Sequence, residues 1–499
     1  MTSHRFLAFD LGASNGRAIA GLLSANRFEF EEIHRFPTRH LTMQGVHQWD
    51  AACIYEEMLT GIAKFVKRHG PHAAGIGIDT WGVDFGLLAS DGTLLANPAH
   101  YRDRRTEGMP EIAFGILPEK EIYRLTGIGF NRFNTLYQLL ALAHSKSPLL
   151  DCAGSLLLMG DLFNCLLTGR MSCEHTNATT TQLLDPLTGT WQEEIIYRMG
   201  FPRRIFRDIT PCGTVLGPIL PEIAEQTGLD AGTLVITPAT HDTASAIASA
   251  PVENESEPWA YISCGTWSIM GTELDKPLID ENSFALGFSN EGGANGRICF
   301  HKTFIGLWLL QECRRIWKKD GMDIHYDELI KQAAEAEALA SLISVDDPRL
   351  YAPANMIQTI QEICRETGLT VPETQGALAR CSLESMAAKY SRTLREMDKA
   401  LGRTTSSIHI FGGGAQNQLL CQFTADACGV PVFAGPVEAA ILGNFAVQAR
   451  AFGMMSSLAD ARQAIRMSSS VKHYAPQNAV AWNDVPSYIE NQRRLSYAN

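Results

Sequence analysis

The stretch "AFDLGASNGRAIAG", residues 8–21, decides the fold of this chain. It reads as a short apolar strand that reaches Asp10, then a turn of small residues, then a second apolar segment. Turns of this kind often bind phosphate groups, because several backbone N–H groups can point at one anion. The fold therefore depends on which class of phosphate-binding turn the sequence encodes.

Two common phosphate-binding motifs do not fit. The dinucleotide-binding fingerprint needs G-x-G-x-x-G at the start of a helix, but Gly12 and Gly16 are four residues apart with no third glycine in register. The segment that follows is interrupted by Gly21, which leaves it too short for a stable helix. A P-loop needs a lysine after its second glycine, and none follows Gly16. Both a nicotinamide-dependent enzyme and a P-loop enzyme are disfavoured.

The remaining interpretation is a β-hairpin turn that carries Ser14, Asn15 and Arg17. Its N–H groups would form an anion-binding nest, and Asp10 at the end of the preceding strand would hold Mg²⁺, which prefers oxygen ligands. A plain hairpin, in which Asp and Asn only stabilise the turn, is the alternative.

Composition limits the possible partners. The chain has 499 residues and a formal net charge of −12, which predicts several domains and disfavours nucleic acid or a membrane surface as a partner. No apolar run approaches the roughly 18 residues of a membrane span, and the first residues lack a signal-peptide pattern. Twelve cysteines occur without a CxxC pair. This pattern favours a reduced, cytoplasmic setting and no zinc site.

Strands alternate with helices along the first half. A β-meander is predicted over the first forty residues, a helix over 50–70 with Asp50 as its N-cap, and a strand over 75–88. This order predicts an α/β architecture with a mixed sheet. The polar segment "SAPVENESEPWA", residues 249–260, has little to bury and is predicted to separate two halves.

The second half of the chain shows the same order of strand, turn and strand. "AYISCGTWSIMGTE" (260–273) is again strand, small-residue turn and strand, and "SIHIFGGGAQN" (407–417) is a strand that meets three glycines. "VPVFAGPVEAA" (430–440) predicts a strand and then a helix with Pro436 at its first position. Two similar halves suggest internal duplication.

The segment "VITPATHDTASAIASA", residues 235–250, places His241, Asp242 and Thr243 between a strand and a small-residue helix. Asp is a preferred N-cap, so a structural role for Asp242 is one reading. The other is a general base that accepts the proton of a substrate hydroxyl as it attacks a phosphoryl group. His241 is either a sugar contact or a packed loop histidine.

Two later turns supply further candidate site residues. Thr266 and its neighbouring N–H groups could meet the β- and γ-phosphates of a nucleotide, and the glycines near Gly413 would let a purine or ribose approach the backbone. Each turn alone is a weak signal. Together with Asp10 and Asp242, in this order, they indicate a phosphotransferase.

These residues resemble the FGGY carbohydrate kinases of the actin-like ATPase superfamily, and among them the rhamnulokinases. The similarity rests on blocks that run from residue 10 to 438, including "DLGASNGR", "IGIDTWGVDF", "TNATTTQL", "HDTASA", "GTWS", "NEGGA", "GGGAQN" and "AGPVEA". It implies two RNase-H-like domains with a ligand cleft between them: residues 1–248 on the sugar side with the first phosphate turn, 257–460 on the nucleotide side, and a C-terminal extension over 461–499.

The resemblance also implies chemistry. ATP would phosphorylate the 1-hydroxyl of L-rhamnulose in L-rhamnose catabolism, with Mg²⁺ near Asp10 and Asp242 as proton acceptor. The matching ATP contacts are Ala13, Ser14, Asn15, Gly16, Arg17, Thr266, Gln311 and Gly413, and the matching sugar contacts are Gly82, His241, Asp242 and Thr243.

Two positions depart from the family pattern. Asn15 replaces a serine, and Thr303 replaces a sugar-contacting asparagine. Both Asn and Ser can bond to phosphate, whereas Thr303 loses the paired donor and acceptor of an amide, so Thr303 bears on which ketose is bound. The alternatives are a kinase for another ketose such as fuculose or xylulose, or a non-catalytic actin-like ATP-binding protein. A monomer or small homo-oligomer is expected.

Overall fold

The computed structural model describes residues 4–482. Part of the predicted C-terminal extension, residues 483–499, lies outside these described residues. In chain order the strands are β1 (His4–Leu11), β2 (Asn15–Ser24), β3 (Arg27–Pro37), β4 (His40–Met43), β5 (Val46–Trp49), β6 (Gly75–Thr80), β7 (Phe85–Leu88), β8 (Ser155–Leu158), β9 (Leu184–Asp185), β10 (Thr190–Trp191), β11 (Val215–Pro218), β12 (Leu234–Ile236), β13 (Trp259–Cys264), β14 (Trp267–Leu274), β15 (Ser289–Gly292), β16 (Ile298–Ile305), β17 (Ser407–Phe411), β18 (Val432–Ala434) and β19 (Lys472–Tyr474).

The α-helices are α1 (Ala51–His69), α2 (Met109–Ile116), α3 (Glu119–Thr126), α4 (Thr135–His144), α5 (Pro148–Cys152), α6 (Met159–Thr168), α7 (His175–Thr179), α8 (Glu193–Arg198), α9 (Pro221–Thr227), α10 (Asp242–Ala248), α11 (Glu281–Leu286), α12 (Trp308–Lys319), α13 (Tyr326–Glu335), α14 (Met356–Glu366), α15 (Gln375–Leu401), α16 (Gln418–Cys428), α17 (Ala439–Ala451) and α18 (Leu458–Ser468). Short 3₁₀ helices occur at Arg104–Thr106, Arg203–Ile205, Ala294–Gly296, Pro348–Leu350, Gly413–Gln416 and Ala479–Trp482. Within residues 4–482, no helix combines the length and apolarity that crossing a membrane requires.

The chain folds as two compact units that are each discontinuous in sequence. Among the described residues, the first unit contains His4–Pro251 together with Glu273–Phe300 and Ala439–Ser469. The second contains Val252–Thr272, His301–Glu438 and Ser470–Trp482. The domain boundaries expected from the sequence, 1–248, 257–460 and 461–499, stay a prediction.

The first unit is built on a mixed sheet with strand order β11-β12-β6-β1-β2-β3. Strands β1, β2 and β3 form the predicted antiparallel meander, and β1 also pairs in parallel with β6. The register sets Asp10 opposite Arg17 on one side and Asp79 on the other. The meander and the mixed sheet predicted from the sequence are both confirmed.

Strand β1 is buried on both faces, which explains its unbroken apolar run. Leu7 and Phe9 belong to the core formed with α1, whereas Phe6 and Ala8 belong to the core formed with α17. Helix α1 begins where predicted, because the Asp50 carboxylate accepts a hydrogen bond from Cys53 N at 3.1 Å. Helices on both faces are the usual environment of a strand with parallel neighbours.

The prediction of one strand over residues 75–88 is wrong. Strand β6 ends at Thr80, β7 begins at Phe85 and pairs with β8 in a separate small sheet, and a loop of four residues lies between them. Val83 in this loop has a φ of 68°, a conformation that a strand cannot contain. The loop forms because Asp84 and Val83 bond to distant side chains, which an apolar pattern does not reveal.

The sheet of the second unit repeats the arrangement around β1. Strands β13 and β14 form an antiparallel hairpin with Gly265 and Thr266 at the bend, as predicted, and β13 pairs in parallel with β17. Strand β17 continues in parallel to β18, which pairs with β19. The prediction of Pro436 as the first residue of α17 is wrong. Gly435 N still donates to Ile410 O at 2.8 Å, so the chain leaves the sheet there and the helix begins at Ala439.

Candidate functional site

The turn between β1 and β2 is a tight hairpin connection. Gly12 N donates to Asn15 O at 3.0 Å, and the Thr38 hydroxyl donates to Gly12 O at 2.7 Å. Ser14 and Asn15 are exposed at its tip. A Cβ atom on Gly16 would come within 2.4 Å of the Phe36 ring, so glycine is required there by packing. The structure thus gives the predicted turn its shape and leaves its polar tip open to a ligand.

Three acidic side chains influence one another behind this turn. Arg17 Nη2 lies 2.5 Å from Asp10 Oδ2, and Asp79 stands opposite Asp10 on β6. Burial, with the nearby charge of Asp10, raises the pKa of Asp79 well above its ordinary value. Asp242 contributes to the same shift. Asp79 was not predicted as a site residue, although "GIGIDT" ends an apolar run in an aspartate as "RFLAFD" does.

Asp79 has one satisfied and one unsatisfied oxygen. Its Oδ2 accepts a hydrogen bond from Asn444 Nδ2 at 2.7 Å, whereas its buried Oδ1 has no hydrogen-bond partner. Buried polar atoms without a partner are rare and often mark a place for an ion or ligand. Together with Asp10, this oxygen is the kind of donor that Mg²⁺ prefers.

No group of three or more His, Cys, Asp or Glu side chains within residues 4–482 is arranged to hold a metal ion. Mg²⁺ in kinase sites is commonly held by one or two carboxylates, water and the substrate phosphates rather than by a complete protein cage. Asp10 and Asp79 fit that smaller donor set. The residues of the first unit are therefore compatible with Mg²⁺ bound together with a nucleotide.

Asp242 lies at the start of α10 but does not cap it. His241 occupies the N-cap position without a side-chain capping bond, and Asp242 is the first helical residue. The Asp242 carboxylate accepts from the Thr243 hydroxyl at 3.2 Å, and 34% of its side chain is exposed. Burial raises the pKa of Asp242 above its ordinary value, and the charge of Asp10 adds to the shift. An accessible carboxylate with a raised pKa suits a proton acceptor.

His241 is held between two carboxylates. Its Nδ1 lies 3.3 Å from Glu291 Oε2, and its Nε2 lies 3.6 Å from Asp242 Oδ1. Burial lowers the pKa of His241, but the neighbouring carboxylates of Glu291, Asp242 and Glu174 together raise it, so the net pKa is above the ordinary value. Glu291 belongs to the "NEGGA" block, and the sequence analysis gave it no role.

Glu174 fixes the loop that carries His241 and Asp242. Its Oε2 accepts from Thr240 N at 3.1 Å and from the Thr240 hydroxyl at 2.8 Å. The same carboxylate accepts from Thr176 N at 3.0 Å and so caps α7. Glu174 was not predicted as a site residue, because its bonds to Thr240 connect positions 66 residues apart.

Gly82 lies in the loop after β6, which is tied to the same region. Thr80 N donates to Thr240 O at 2.8 Å, next to His241. A Cβ atom on Gly82 would come within 3.0 Å of Thr180, so the loop packs tightly there. The predicted sugar contacts Gly82, His241, Asp242 and Thr243 therefore belong to one region of the first unit.

In the second unit, Thr266 and Gln311 are in contact. The Thr266 hydroxyl donates to Gln311 Oε1 at 3.2 Å, and Leu307 N donates to Gly265 O at 2.9 Å. Thr266 is half-buried at the bend between β13 and β14, and Gln311 is exposed on α12. The two predicted nucleotide contacts thus lie side by side.

The three glycines after β17 pack against the end of β13. A Cβ atom on Gly414 would lie 2.3 Å from Cys264 Sγ, and Gly412 has a φ of 78°. Gly413 begins the 3₁₀ turn Gly413–Gln416 that follows. The predicted site residue Gly413 is therefore close to the Gly265–Thr266 turn, whereas Thr303 lies on β16 with an exposed side chain.

Residues 5–248 match the N-terminal domain of the FGGY family of carbohydrate kinases, and residues 260–452 match its C-terminal domain. The chain belongs to this family. A rhamnulokinase from Bacteroides thetaiotaomicron is 41% identical over 486 residues, which cover 97% of this chain and 99% of the relative. One from Oceanobacillus iheyensis is 39% identical, covering 94% of this chain and 98% of the relative.

Solved structures agree on the fold. A ligand-bound xylulose kinase from Lactobacillus acidophilus superposes with a TM-score of 0.81 at 19% identity, covering 99% of this chain and 98% of that one. A glycerol kinase from Plasmodium falciparum with ADP gives 0.76 at 15% identity, covering 99% and 98%. The predicted two-domain α/β kinase fold is confirmed, and the protein is a sugar kinase, a phosphotransferase.

Proposed function

We propose that this FGGY kinase transfers the γ-phosphoryl group of ATP to the 1-hydroxyl of L-rhamnulose, in L-rhamnose catabolism. The observation that carries the proposal is the 41% identity to a rhamnulokinase along 97% of this chain. The acidic region around Asp242 is consistent with it. A kinase for fuculose, xylulose or another ketose is the alternative, since Thr303 replaces an asparagine in the family pattern.

In the proposed reaction Asp242 accepts the proton of the ketose hydroxyl. The hydroxyl oxygen forms a bond to the γ-phosphorus while the bond from that phosphorus to the bridging oxygen of ADP breaks, and the proton passes to a carboxylate oxygen of Asp242. The raised pKa of Asp242 brings it closer to working pH, which favours proton acceptance. His241 would bind the sugar in an orientation fixed by Glu291.

The phosphates of ATP would be received by backbone N–H groups of Ala13, Ser14, Asn15 and Gly16 and by the guanidinium of Arg17. Asp10 would hold Mg²⁺, which neutralises charge on the phosphates when it is bound. Thr266, Gln311 and Gly413 would contact the nucleotide. Phosphoryl transfer depends mainly on such positioning and charge stabilisation, so these polar contacts would account for most of the catalysis.

A ketose panel tests the proposal. The purified protein is incubated with ATP, Mg²⁺ and either L-rhamnulose, L-fuculose, D-xylulose or L-xylulose, and kcat/KM is measured from ADP release. Phosphorus and carbon NMR then locate the phosphate on the product. We expect kcat/KM for L-rhamnulose to exceed the others by about tenfold or more, with phosphate on carbon 1. Equal values for several ketoses would overturn the substrate assignment, and ATP binding with neither ADP release nor a sugar phosphate would favour the non-catalytic alternative.

Cellular setting and assembly are part of the same proposal. All twelve cysteines are free thiols, which fits a reduced compartment such as the cytoplasm. We expect a monomer or small homo-oligomer that binds two small molecules, ATP and the ketose. Sedimentation velocity under reducing conditions would measure the assembly state.

A further inference from the structure

Asp84 is a buried carboxylate that collects hydrogen bonds from four parts of the first unit. Its Oδ2 accepts from Trp49 Nε1 at 2.7 Å, from Trp81 Nε1 at 3.0 Å and from Tyr101 N at 3.1 Å. Its Oδ1 accepts from Gln138 Nε2 at 2.8 Å. The side chain is fully shielded from solvent. Both oxygens are therefore committed to donors, and one residue fixes the end of β5, the loop after β6, the segment at Tyr101 and helix α4.

Burying a carboxylate in this way costs free energy of folding. Burial raises the pKa of Asp84 to about 6, although the bonds from Trp49, Gln138 and Trp81 oppose the shift. The nearby guanidinium of Arg105 bonds to Gln138 Oε1 at 2.6 Å rather than to Asp84. Apolar side chains could fill such a core site at lower cost, so the bonds of Asp84 call for a role beyond packing.

The loop that Asp84 closes is strained and tightly held. Val83 is β-branched and has a φ of 68°, a backbone conformation that β-branched residues rarely adopt. Val83 N donates to the Thr180 hydroxyl at 3.1 Å, and the Thr135 hydroxyl donates to Val83 O at 2.6 Å. Strain of this kind persists only where the surroundings determine it, and it is common at binding sites.

The bonds of Asp84 also align a row of aromatic rings. The ring centroid of Trp49 lies 4.2 Å from that of Trp81 and 4.1 Å from that of His100. The His100 ring lies 4.5 Å from the Tyr101 ring, which is half-buried. A shift of the Asp84 carboxylate would therefore move Trp81 and Tyr101 together. Gly82, between Trp81 and Val83, is the predicted sugar contact nearest to this row.

We infer that Asp84 is a positioning residue of the ketose site: its carboxylate holds the Trp81–Val83 loop and Tyr101 in the arrangement that binds and selects the sugar. The inference rests on the proposed function, because Gly82 and His241 are assigned to the sugar there. The connection runs through Thr80, whose N–H bonds to Thr240 O directly before His241. Asp84 itself, being fully shielded, acts only through these neighbours.

The four donors make asparagine a poor replacement. In Asp84→Asn, one oxygen becomes an NH₂ group that must face either two indole N–H groups or the amide N–H of Gln138. The new buried NH₂ group would then face other N–H groups and no acceptor, so the hydrogen bonds at that position would be lost. In Asp84→Asn with Gln138→Glu, the new NH₂ group donates to the new carboxylate, which also lies beside Arg105. The double variant keeps the charge and restores the hydrogen bond between positions 84 and 138, but it loses the donation that Gln138 Nε2 makes to Phe133 O at 2.9 Å.

The test compares KM for the ketose, KM for ATP and kcat in wild type, Asp84→Asn and the double variant. We expect Asp84→Asn to raise KM for the ketose by about tenfold or more and to leave KM for ATP unchanged. The ratio of kcat/KM for the preferred ketose to kcat/KM for each other ketose should fall. The double variant should lower KM for the ketose part of the way back towards the wild-type value, because only the bond between positions 84 and 138 is restored. Asp426→Asn is the matched control, because Asp426 is also buried and accepts from Gln422 Nε2 at 3.0 Å in the second unit.

A second variant covers the case in which Asp84→Asn does not fold. Trp49→Phe removes one donor to Asp84 and keeps an aromatic ring, and Trp49 is itself fully shielded from solvent. It should raise KM for the ketose by a smaller factor in the same direction. An unchanged KM for the ketose in the folded variants, or an equal rise in both KM values, would overturn the inference.

The two proposals fail in different ways. Wild-type kcat/KM on the ketose panel tests the proposed function, whereas the ratio of variant to wild type tests Asp84 on whichever ketose is phosphorylated best. If that ketose is not L-rhamnulose, the substrate assignment fails and the role of Asp84 is still measured. If no ketose is phosphorylated by the wild type, both are overturned.

Discussion

Arg462 Nη2 donates to Glu273 Oε2 at 2.8 Å, and these side chains are only 1% and 2% exposed. Arg462 Nη2 also donates to Ile247 O at 3.2 Å, near the end of α10. The ion pair thus joins α18 to Glu273 near the end of β14, and the bond to Ile247 O joins α18 to the helix that begins at Asp242. Residue 462 lies in the predicted C-terminal extension, and this part of the extension is integral to the first unit.

Arg462→Met should lower the free energy of unfolding by about 3–5 kcal/mol, because Glu273 would keep a buried charge without its partner. Arg462→Met combined with Glu273→Gln should recover much of this loss. Chemical denaturation of the three proteins at pH 7 measures the difference. Equal losses in the single and double variants would show that packing of the arginine, and not its charge, stabilises α18.

Asp242→Asn should lower kcat by about 10²–10⁴-fold, because the amide cannot accept the hydroxyl proton. ATP binding, measured by calorimetry with a non-hydrolysable analogue, should change little. The helix should also stay intact, with stability within about 1 kcal/mol of wild type, since Asp242 makes no side-chain capping bond. Near-normal turnover in this variant would contradict its role as general base.

Gly443→Ala should destabilise the protein by about 1–3 kcal/mol or more, because overpacking forces the backbone apart. A Cβ atom at Gly443 on α17 would lie 1.8 Å from Ser245 O on α10. Gly115→Ala is the matched control, since nothing lies within 4 Å of a Cβ there and alanine favours the helix. Thermal unfolding should give a lower melting temperature than wild type for Gly443→Ala and a higher one for Gly115→Ala. Similar melting temperatures would mean that α10 and α17 can move apart at low cost.

The stability contributed by Asp161 should depend on pH. Burial raises the pKa of this carboxyl to about 7, so its contribution is fully present below about pH 4 and is lost as pH rises through about 7. Asp161→Asn removes the titration, while the amide oxygen can still accept from Glu174 N. Between pH 5 and pH 8 the variant should gain about 2–3 kcal/mol relative to wild type. Denaturant titrations at both pH values measure this, and parallel pH curves would contradict it.

Local sequence signals predicted a large part of the fold. The helix over 50–70 and its N-cap Asp50 were predicted because apolar periodicity and capping residues act over a few neighbours. The hairpins at Gly12 and Gly265 were predicted for the same reason, since the small residues that make each turn are adjacent. These features need no information about distant parts of the chain.

The features that the sequence analysis missed depend on distant partners. Asp84 breaks an apparent strand because Trp49 and Gln138 supply its hydrogen bonds. Glu174 and Glu291 hold the Asp242 segment from positions far away in sequence, and Asp79 gains its unusual environment from α17. Asp242 was predicted as a candidate general base from its position between a strand and a small-residue helix, which is a local signal. Its charged neighbourhood becomes visible only once β1, β6 and α10 are assembled.

The discontinuity of the first unit has a consequence for synthesis on the ribosome. Phe6 of β1 and Phe28 of β3 pack around Phe445 of α17, with ring centroids 6.3 and 6.2 Å apart. About 190 residues separate Pro251 from Ala439, and at about 5–20 residues per second they take roughly 10–40 s to emerge. Throughout that interval the nascent chain exposes the apolar face of its first sheet that α17 covers in the folded protein.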